Sequence, residues 1–548
     1  MDKTRRVLRQ VCRLSVFAAV VRLDLDMKIL AAAPSFSSGS GNASIFPIGL
    51  SYITASLKSA GHEVDCHMYK GNEEMQALLS KTSYDYVATG GLSSQYHDIK
   101  AITGIARENG KKIIAGGGII TSGPELMSRH LNVDYAVIGE GEDTVTELLS
   151  FLSNGFDLSD VSGLGYFKNG DFILNSRRKQ REDLDALPMP DYESFGFNLY
   201  LDASRPSDSF SKDLFDSPRE YPLVSSRSCP YSCTFCYHPI GDKYRQRSID
   251  SIMLELEHVI PKYRINIVGI LDELFSYHKE RVLEFCKRFQ DFTKTLSWEV
   301  KWLCQMRVES VDEAVLTAMK HSGCYLVGYG LESYSPIVLK SMKKHITQEQ
   351  IHKAVHMTMD SGISIQGNFI FGDIEETLDT AKETLYFWRQ HVEAGVLLGF
   401  ILPFPNSKLY QHCIKKGLIT DGVDFVKNHL FEIINMTEMS DKDFYNMAVL
   451  IYKYSRRYNK FVVPDVISKD SFVVRCPYCL NSIEYKNYDT SQLSSTRAFV
   501  YCRSCRLRFY PISPLYNNIR KLSLALVHPW SYNLIGKAHD IIKRLTGK

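Results

Sequence analysis

The chain has 548 residues, 44% of them apolar and 23% charged, and 65 basic against 62 acidic side chains leave a net charge of +3. These values describe an ordinary soluble globular protein of about three to four domains, and the near-balanced charge gives no reason to expect a nucleic-acid partner. Thirteen cysteines without a convincing secretory signal point to a reducing compartment, where thiols serve metals or redox chemistry and not disulfides.

Residues 1–26 carry Arg5, Arg6, Arg9 and Arg13 and then a short apolar run, Leu14 to Val21. That run falls well short of the roughly 20 residues needed to cross a bilayer, and no small-residue cleavage pattern precedes Arg22. It reads as an extension ahead of a natural start at Met27. No membrane-spanning segment is expected elsewhere, and the expected location is the cytoplasm.

Residues 27–155 alternate apolar runs with amphipathic stretches, the pattern of a parallel Rossmann-like sheet covered by helices. The predicted strands are Lys28–Ala33, His62–His67, Tyr84–Thr89, Lys112–Ala115 and Asp134–Ile138. Ligands of such α/β sheets bind at the carboxyl ends of the strands. The unusual residues lie there: Pro34 to Ser44, Gly90 through Ser93, Ser94 and Gln95, then Gly116-Gly117-Gly118 and Gly139-Glu140-Gly141-Glu142. Glycines admit a bulky ligand close to the backbone, and loop hydroxyls at helix starts suit a phosphate. Residues 156–215 read as a linker, with a hairpin about Asn169-Gly170 and a proline-stiffened stretch from Asp183 to Tyr192. From Pro222 six strand candidates, ending at Gly395–Pro403, predict a partial (β/α)6 barrel over residues 216–405, its site again at the C-terminal strand ends.

The most informative residues open that barrel: Cys229-Pro-Tyr-Ser-Cys233-Thr-Phe-Cys236. Three thiolates so close can hold three irons of a [4Fe–4S] cubane and leave the fourth iron free for a reactant. A structural zinc knuckle would want four ligands, usually on paired Cys-x2-Cys hooks. The spacing, with Phe235 ahead of the last cysteine, resembles the signature of the radical S-adenosylmethionine (SAM) enzymes. That resemblance implies that the open iron takes the amino and carboxylate groups of SAM, and that one electron from a reductant such as flavodoxin or ferredoxin cleaves SAM to a 5′-deoxyadenosyl radical. It also implies roles at successive strand ends: Asp272 and Glu273 at the SAM amino group, Arg307 at its carboxylate, Glu332 and Ser333 at ribose or methionine polar groups. The family's Pro-Gly-Glu-Thr segment is altered here to Ile374-Glu375-Glu376-Thr377. Cys304, near Arg307, reads as packing with redox use as the rival, and Cys12, Cys66, Cys286, Cys324 and Cys413 mostly as buried fillers.

With Phe46-Pro47-Ile48-Gly49-Leu50 and the Gly-Glu-Gly-Glu end, residues 27–155 resemble the cobalamin-binding domain of the B12-type members of that family. The resemblance maps nucleotide-tail contacts onto Ser93, Ser94 and Gly116–Gly118, with Glu140 beside them. The Asp-x-His-x-x-Gly motif that supplies a cobalt-ligating histidine elsewhere is missing, because Ser35–Ser44 holds no histidine and His67 has the wrong spacing. Cobalamin without a histidine on its lower face is therefore expected, the alternative being a degenerate domain kept as scaffold.

Residues 406–470 read as a tyrosine-rich helical region that closes the open side of the barrel. Cys476-x2-Cys479 and Cys502-x2-Cys505, in residues 471–512, have the spacing of a zinc ribbon; a rubredoxin-like iron or an auxiliary cluster is the rival. The tail from 513 to 548 is basic and amphipathic, with Trp530 amid Leu522, Leu524, Leu526, Leu534 and Ile535, and suits a helix packed on the body or a membrane surface. Together the resemblance implies methyl transfer to an unactivated carbon of a small-molecule or carrier-bound substrate. One SAM would charge the cobalamin with methyl, and the radical from another would take the substrate hydrogen. Oxidative cyclisation or rearrangement without methylation is the alternative in this class, and a non-catalytic binding protein with a ribbon docking module the alternative outside it.

Overall fold

A computed structural model describes residues 27–35, 46–495 and 498–526. Its first sheet is built from β1 (Lys28–Ala33), β2 (Glu63–Met68), β3 (Tyr86–Gly90), β4 (Lys112–Gly116) and β5 (Tyr135–Val137), in the order β2-β1-β3-β4-β5. All these pairings are parallel. β1 is a run of small and branched apolar residues, and Ile29 to Ala33 are fully buried, as a strand covered on both faces requires. The order reverses between β1 and β3, the switch point beside which such sheets open a ligand crevice.

The hairpin about Asn169-Gly170 forms as expected, with both turn residues at positive φ (53° and 90°). It does more than link. Its strands β6 (Leu164–Lys168) and β7 (Asp171–Leu174) continue the first sheet antiparallel to β5, so the N-terminal layer extends past residue 155. The Asp183–Tyr192 stretch is also stitched down: the Lys58 ammonium lies 2.7 Å from Asp191, and the Tyr192 hydroxyl donates to the Pro222 carbonyl at 3.0 Å.

The second sheet holds β8 (Glu220–Leu223), β9 (Ile267–Ile270), β10 (Lys301–Met306), β11 (Cys324–Glu332), β12 (Ser364–Phe371) and β13 (Val396–Phe400). The six run in sequential order with every pairing parallel, and β8 and β13 form two open edges. This is the expected partial barrel. Phe46 is a core residue. It meets Tyr192, Phe197 and Tyr200 edge-on or tilted at 4.9–5.2 Å, and one continuous apolar core joins both sheets through this aromatic cluster.

Helix Asp441–Tyr458 packs with Phe444 against Phe400 of the open β13 edge. Two short antiparallel hairpins, Phe472–Arg475 with Ser482–Tyr485 and Val500–Tyr501 with Arg508–Pro511, present the four ribbon cysteines. The described part of the tail, helix Pro514–Leu526, lies on the body, where the Arg520 guanidinium caps the Arg456 carbonyl and stands 4.6 Å over the Phe461 ring. Among the described residues no helix is long and apolar enough to cross a membrane. Residues 1–26, most of the Ser35–Ser44 loop, and Trp530, Leu534 and Ile535 lie outside the described residues.

Candidate active site between two strand edges

The cysteine loop follows β8 at the C-terminal end of the barrel. Ser228, just before Cys229, is held at φ 68°, a left-handed conformation rarely adopted by residues other than glycine, asparagine and aspartate. Its hydroxyl accepts from Arg245 at 3.1 Å. The Arg245 guanidinium in turn grips both oxygens of Glu140 at 2.8 Å, and Arg227 reaches Glu140 at 3.1 Å and Glu142 at 2.6 Å. All four side chains are nearly buried, Arg245 being only 3% exposed. Glu140 therefore corrects its assignment as a cofactor contact: its oxygens are spent on two arginines and the Arg181 amide, binding the N-terminal sheet to the cysteine loop. Arg227 beside it holds the Glu142 carboxyl below the usual carboxylate range against the opposing effect of burial.

The loop is also fixed from beneath. The Thr234 amide donates to the Met342 carbonyl at 3.1 Å, and the Leu409 amide donates to Thr234 at 3.2 Å. Phe235 packs into the apolar cluster shared by the N-terminal sheet and helix Lys408–Lys415. Arg307, at the end of β10, lies 3.6 Å over the Tyr231 ring inside the loop and donates to the Lys344 carbonyl at 2.7 Å. Glu309 accepts from its Nε. Glu332, at φ 61°, is paired with Lys344 at 2.9 Å. Arg307, Glu332 and Lys344 thus converge beside the cysteines, and the Lys343 carbonyl lies 3.8 Å from the Cys233 sulfur. Ser333 is turned away: its hydroxyl contacts Thr384 at 3.2 Å and accepts from the Ser335 amide at 3.1 Å.

Asp272 and Glu273 part company. Asp272 is buried and accepts from the amides of Ser225 and Ser226 at 2.7 and 2.9 Å and from the Ser225 hydroxyl, so both its oxygens hold the turn that leads into the cysteine loop. Burial still pushes its carboxyl up. Glu273 is exposed and faces His238 at 3.3 Å, where its carboxylate raises the imidazole above its usual range. Glu273 is the member of the pair that stands open beside the cysteines.

Cys233 is buried, Cys229 half-buried and Cys236 exposed. Desolvation by the surrounding protein, with the neighbouring Cys233, pushes the Cys236 thiol up to about 12; a thiolate there needs a metal. Among the described residues two groups of three or more potential ligands lie within 4.8 Å of one another, and this trio is not one of them. Its sulfurs spread wider than a single ion allows, as ligands to separate irons of one cluster must.

Across the cleft lie the ends of β3 and β4. Gly117 sits at φ 83°, and a Cβ there would stand 2.7–2.8 Å from the Gly91 backbone; one on Gly90 would stand 2.6 Å from the Gly116 carbonyl. The two loops can close on each other only as glycines. Gly118 starts the next short helix. Ser93 and Ser94 form a single turn after β3, their hydroxyls without a partner among the described residues, and Leu92 beside them is 56% exposed. Free hydroxyls and an exposed apolar side chain at a switch-point crevice fit a bulky ligand with a polar tail. The two edges meet: a Cβ on Gly139, just past β5, would lie 3.8 Å from the carbonyl of Pro239, three residues beyond Cys236. His67 lies at the outer strand β2, half-buried, and burial holds its imidazole below the usual range.

Two carboxylates that sequence reading did not assign lie past β12. Asp373 and Glu376 each keep one buried oxygen without a hydrogen-bond partner among the described residues. Burial pushes Glu376 up to about 7, only partly offset by the Thr380 hydroxyl. The folded-state pKa is above the unfolded one, so Glu376 lowers stability progressively as pH rises from the unfolded carboxyl range through 7. Glu376→Gln is expected to stabilise the protein, with the gain growing by on the order of 2 kcal/mol between pH 5.5 and 8.5. The free energy of local opening at the two pH values, read from amide exchange across residues 372–380 in parent and variant, measures it, and a gain independent of pH would show that Glu376 titrates normally.

The ribbon cysteines form a tight set. All four sulfurs lie within 4.8 Å, Cys476–Cys505 at 3.7 Å and Cys479–Cys502 at 3.6 Å, a spacing suited to one metal ion. The amides of Tyr478 and Cys505 point at the Cys476 and Cys502 sulfurs at 3.4 Å, and Leu480 and Arg506 turn left-handed after each hook. The ribbon lies under the N-terminal strand ends: the Tyr501 hydroxyl donates to Ile365 at 2.7 Å, and Arg508 donates to Val396 at 2.9 Å. That is the end of the barrel opposite the cysteine loop.

Comparison with known proteins agrees with this geometry. The B12 binding domain family matches residues 40–149 and the Radical SAM superfamily matches residues 223–387. The chain is a cobalamin-binding radical SAM enzyme, and [4Fe–4S], SAM and cobalamin are its cofactors. It is 27% identical over 384 residues to the uncharacterized methyltransferase PH0819 of Pyrococcus horikoshii, covering 68% of this chain and 79% of that protein. It is 24% identical to the anaerobic magnesium-protoporphyrin IX monomethyl ester cyclase of Rubrivivax gelatinosus, covering 72% and 71% of the two chains. The solved structure of the radical SAM methyltransferase TsrM from Kitasatospora setae, with cobalamin and a [4Fe–4S] cluster bound, shares the fold. Its TM-score is 0.58 at 17% identity, over 71% of this chain and 76% of that one.

Proposed function

We propose that the protein transfers a methyl group from cobalamin to an unactivated carbon of a small-molecule or carrier-bound substrate. The observation that carries the reading is the meeting of the two C-terminal strand edges, which sets the cobalamin-side loops of β3 to β5 against the cysteine loop of the barrel. When bound, the cofactors supply one-electron cleavage of SAM on the cluster and a methyl donor on the cobalt.

The chain's own residues supply position and enclosure. Cys229, Cys233 and Cys236 hold three irons, and Tyr231 clamped under Arg307 keeps their loop in place. Glu273 and the Glu332–Lys344 pair offer polar contacts to the SAM amino and carboxylate groups, with Arg307 beneath them. Ser93 and Ser94 offer donors to the cobalamin tail, and Gly116–Gly118 keep its approach clear. Phe235 packs against the apolar core that holds Leu409 and Cys413 of helix Lys408–Lys415, which anchors the cysteine loop from the interior side. PH0819 is named a methyltransferase, which supports the same reading. Among the described residues the cysteines are free thiols, which supports a cytoplasmic location, and the Cys-x2-Cys pairs support structural zinc in the ribbon; the one-electron step calls for a reductant such as flavodoxin or ferredoxin.

The test is product analysis of anaerobic, cofactor-loaded protein with reductant and candidate substrates. Methyl transfer by this route yields S-adenosylhomocysteine and 5′-deoxyadenosine together in a one-to-one ratio. Deoxyadenosine with no S-adenosylhomocysteine would replace the reading by the oxidative cyclisation for which the Rubrivivax relative is named.

A further inference from the structure

Away from the cleft, helix Gln348–Asp360 carries His352 and His356 four residues apart, hence on one face. His391, capping helix Leu378–Gln390, turns toward them. One ring nitrogen from each of the three lies within 4.8 Å of the other two. The Nε2 atoms of His356 and His391 are 3.1 Å apart.

The tautomer of His391 is set by its surroundings. Its Nδ1 lies 2.9 Å from the Phe387 carbonyl, which can only accept, so Nδ1 carries the proton and Nε2 presents a lone pair toward His356. Its ring is stacked on Phe387 at 4.3 Å, which fixes the orientation. An imidazole whose far nitrogen donates to a carbonyl is the usual arrangement of a metal-ligating histidine. The separation fits as well: two bonds of about 2.0–2.1 Å at angles between square and tetrahedral place their nitrogens about 2.9–3.4 Å apart. Of the acids on these two helices, Glu383 accepts from Gln348 at 2.7 Å and Asp379 from Lys382 at 2.9 Å, and none joins the three rings, which leaves an all-imidazole set.

We propose that His352, His356 and His391 bind one divalent first-row transition metal ion, zinc above all, through three imidazole nitrogens, with the remaining position open to water. Neutral imidazoles select zinc, copper, nickel or iron and not magnesium or calcium. His391 is buried, His356 half-buried and His352 exposed, so the ion sits in a notch open on the His352 side. The two helices precede β12 and β13, and the ion clips these consecutive barrel units together on their outer face.

The rival arrangement is metal-free, with His356 Nε2–H donating to His391 Nε2 and His352 merely tilted alongside, its ring 4.2 Å from that of His356. Metal analysis of the full chain separates the two. The anaerobic protein is equilibrated with Zn2+, washed with a weak chelator and counted for zinc, alongside His352→Ala, His356→Ala, His391→Ala and the double variant Cys476→Ser/Cys479→Ser. Each histidine variant is expected to hold one zinc fewer per chain than the parent, and the cysteine variant to lose a different one. In the Cys476→Ser/Cys479→Ser background, Co2+ in place of Zn2+ should give weak visible bands without thiolate charge transfer, lost when His352→Ala is added. His391→Ala removes a buried, stacked ring and can fail to fold, but His352 is exposed and its variant has no such defect. A zinc count and cobalt spectrum unchanged by His352→Ala would overturn the proposal in favour of the hydrogen-bonded trio. So would cobalt uptake at the histidines only at millimolar concentration.

Discussion

Replacing Cys229, Cys233 and Cys236 together by alanine is expected to abolish reductant-dependent formation of 5′-deoxyadenosine and to remove about four irons and four sulfides per chain. The loss should be complete, because a cluster held by three protein thiolates has no fourth to fall back on. The fold should survive it. The loop's position rests on the Thr234 amide and carbonyl, on Tyr231 under Arg307 and on Ser228 under Arg245, and the substitution removes none of these. Zinc in the ribbon should therefore be retained, and far-ultraviolet circular dichroism should match the parent. Deoxyadenosine formation surviving in the triple variant would show that SAM is cleaved elsewhere and would remove the basis of the functional reading.

Glu140→Ala should be the most damaging single change outside the cysteine loop. It leaves Arg245 and Arg227 almost fully enclosed and with half of their counter-charge, and stranding a buried charge in this way costs about 3–5 kcal/mol. Glu140→Gln keeps the shape and should cost less. A chain of several domains does not unfold in one step, so the readouts are local: amide exchange across Ser228–Cys236 and iron content after reconstitution. Both should worsen in Glu140→Ala, exchange rising and iron falling, because Arg245 is also what holds the Ser228 hydroxyl. Unchanged exchange and iron would mean that the cysteine loop takes its shape without help from the N-terminal sheet.

Much of the scaffold was legible in the sequence because its signals are local. Each parallel strand is a short apolar run flanked by turn residues, and the ribbon hooks and the cysteine loop are contiguous motifs. What was not legible depends on partners far along the chain. The hairpin at Asn169-Gly170 was visible as a turn, but its pairing with β5 depends on where residues 155–163 carry it. Glu140 looked like a ligand-facing residue at a strand end. Its partners, Arg227 and Arg245, are 87 and 105 residues away. Asp272 and Glu273 are adjacent in sequence yet point oppositely, one into the Ser225–Ser226 turn and one toward His238 beside the cysteines, because the chain bends just past the strand end. His352 and His356 carried a spacing signal, but the third ring comes from another helix. Glu376 stood within a segment noted as departing from the family, and only its burial revealed a perturbed carboxyl.

The ribbon's place beneath the barrel bears on the order in which the molecule can be completed. The carbonyls of Ile365 and Val396 begin the last two barrel strands, and part of their bonding comes from Tyr501 and Arg508, more than a hundred residues later. A chain leaving the ribosome forms its N-terminal parts first. β12 and β13 therefore emerge with their floor unfinished and stay provisional until the second cysteine hook has been made. With a metal in the ribbon, as proposed above, its capture would be the late event that locks the barrel, and metal supply during synthesis would bear on how much of the protein reaches a state able to accept its other cofactors.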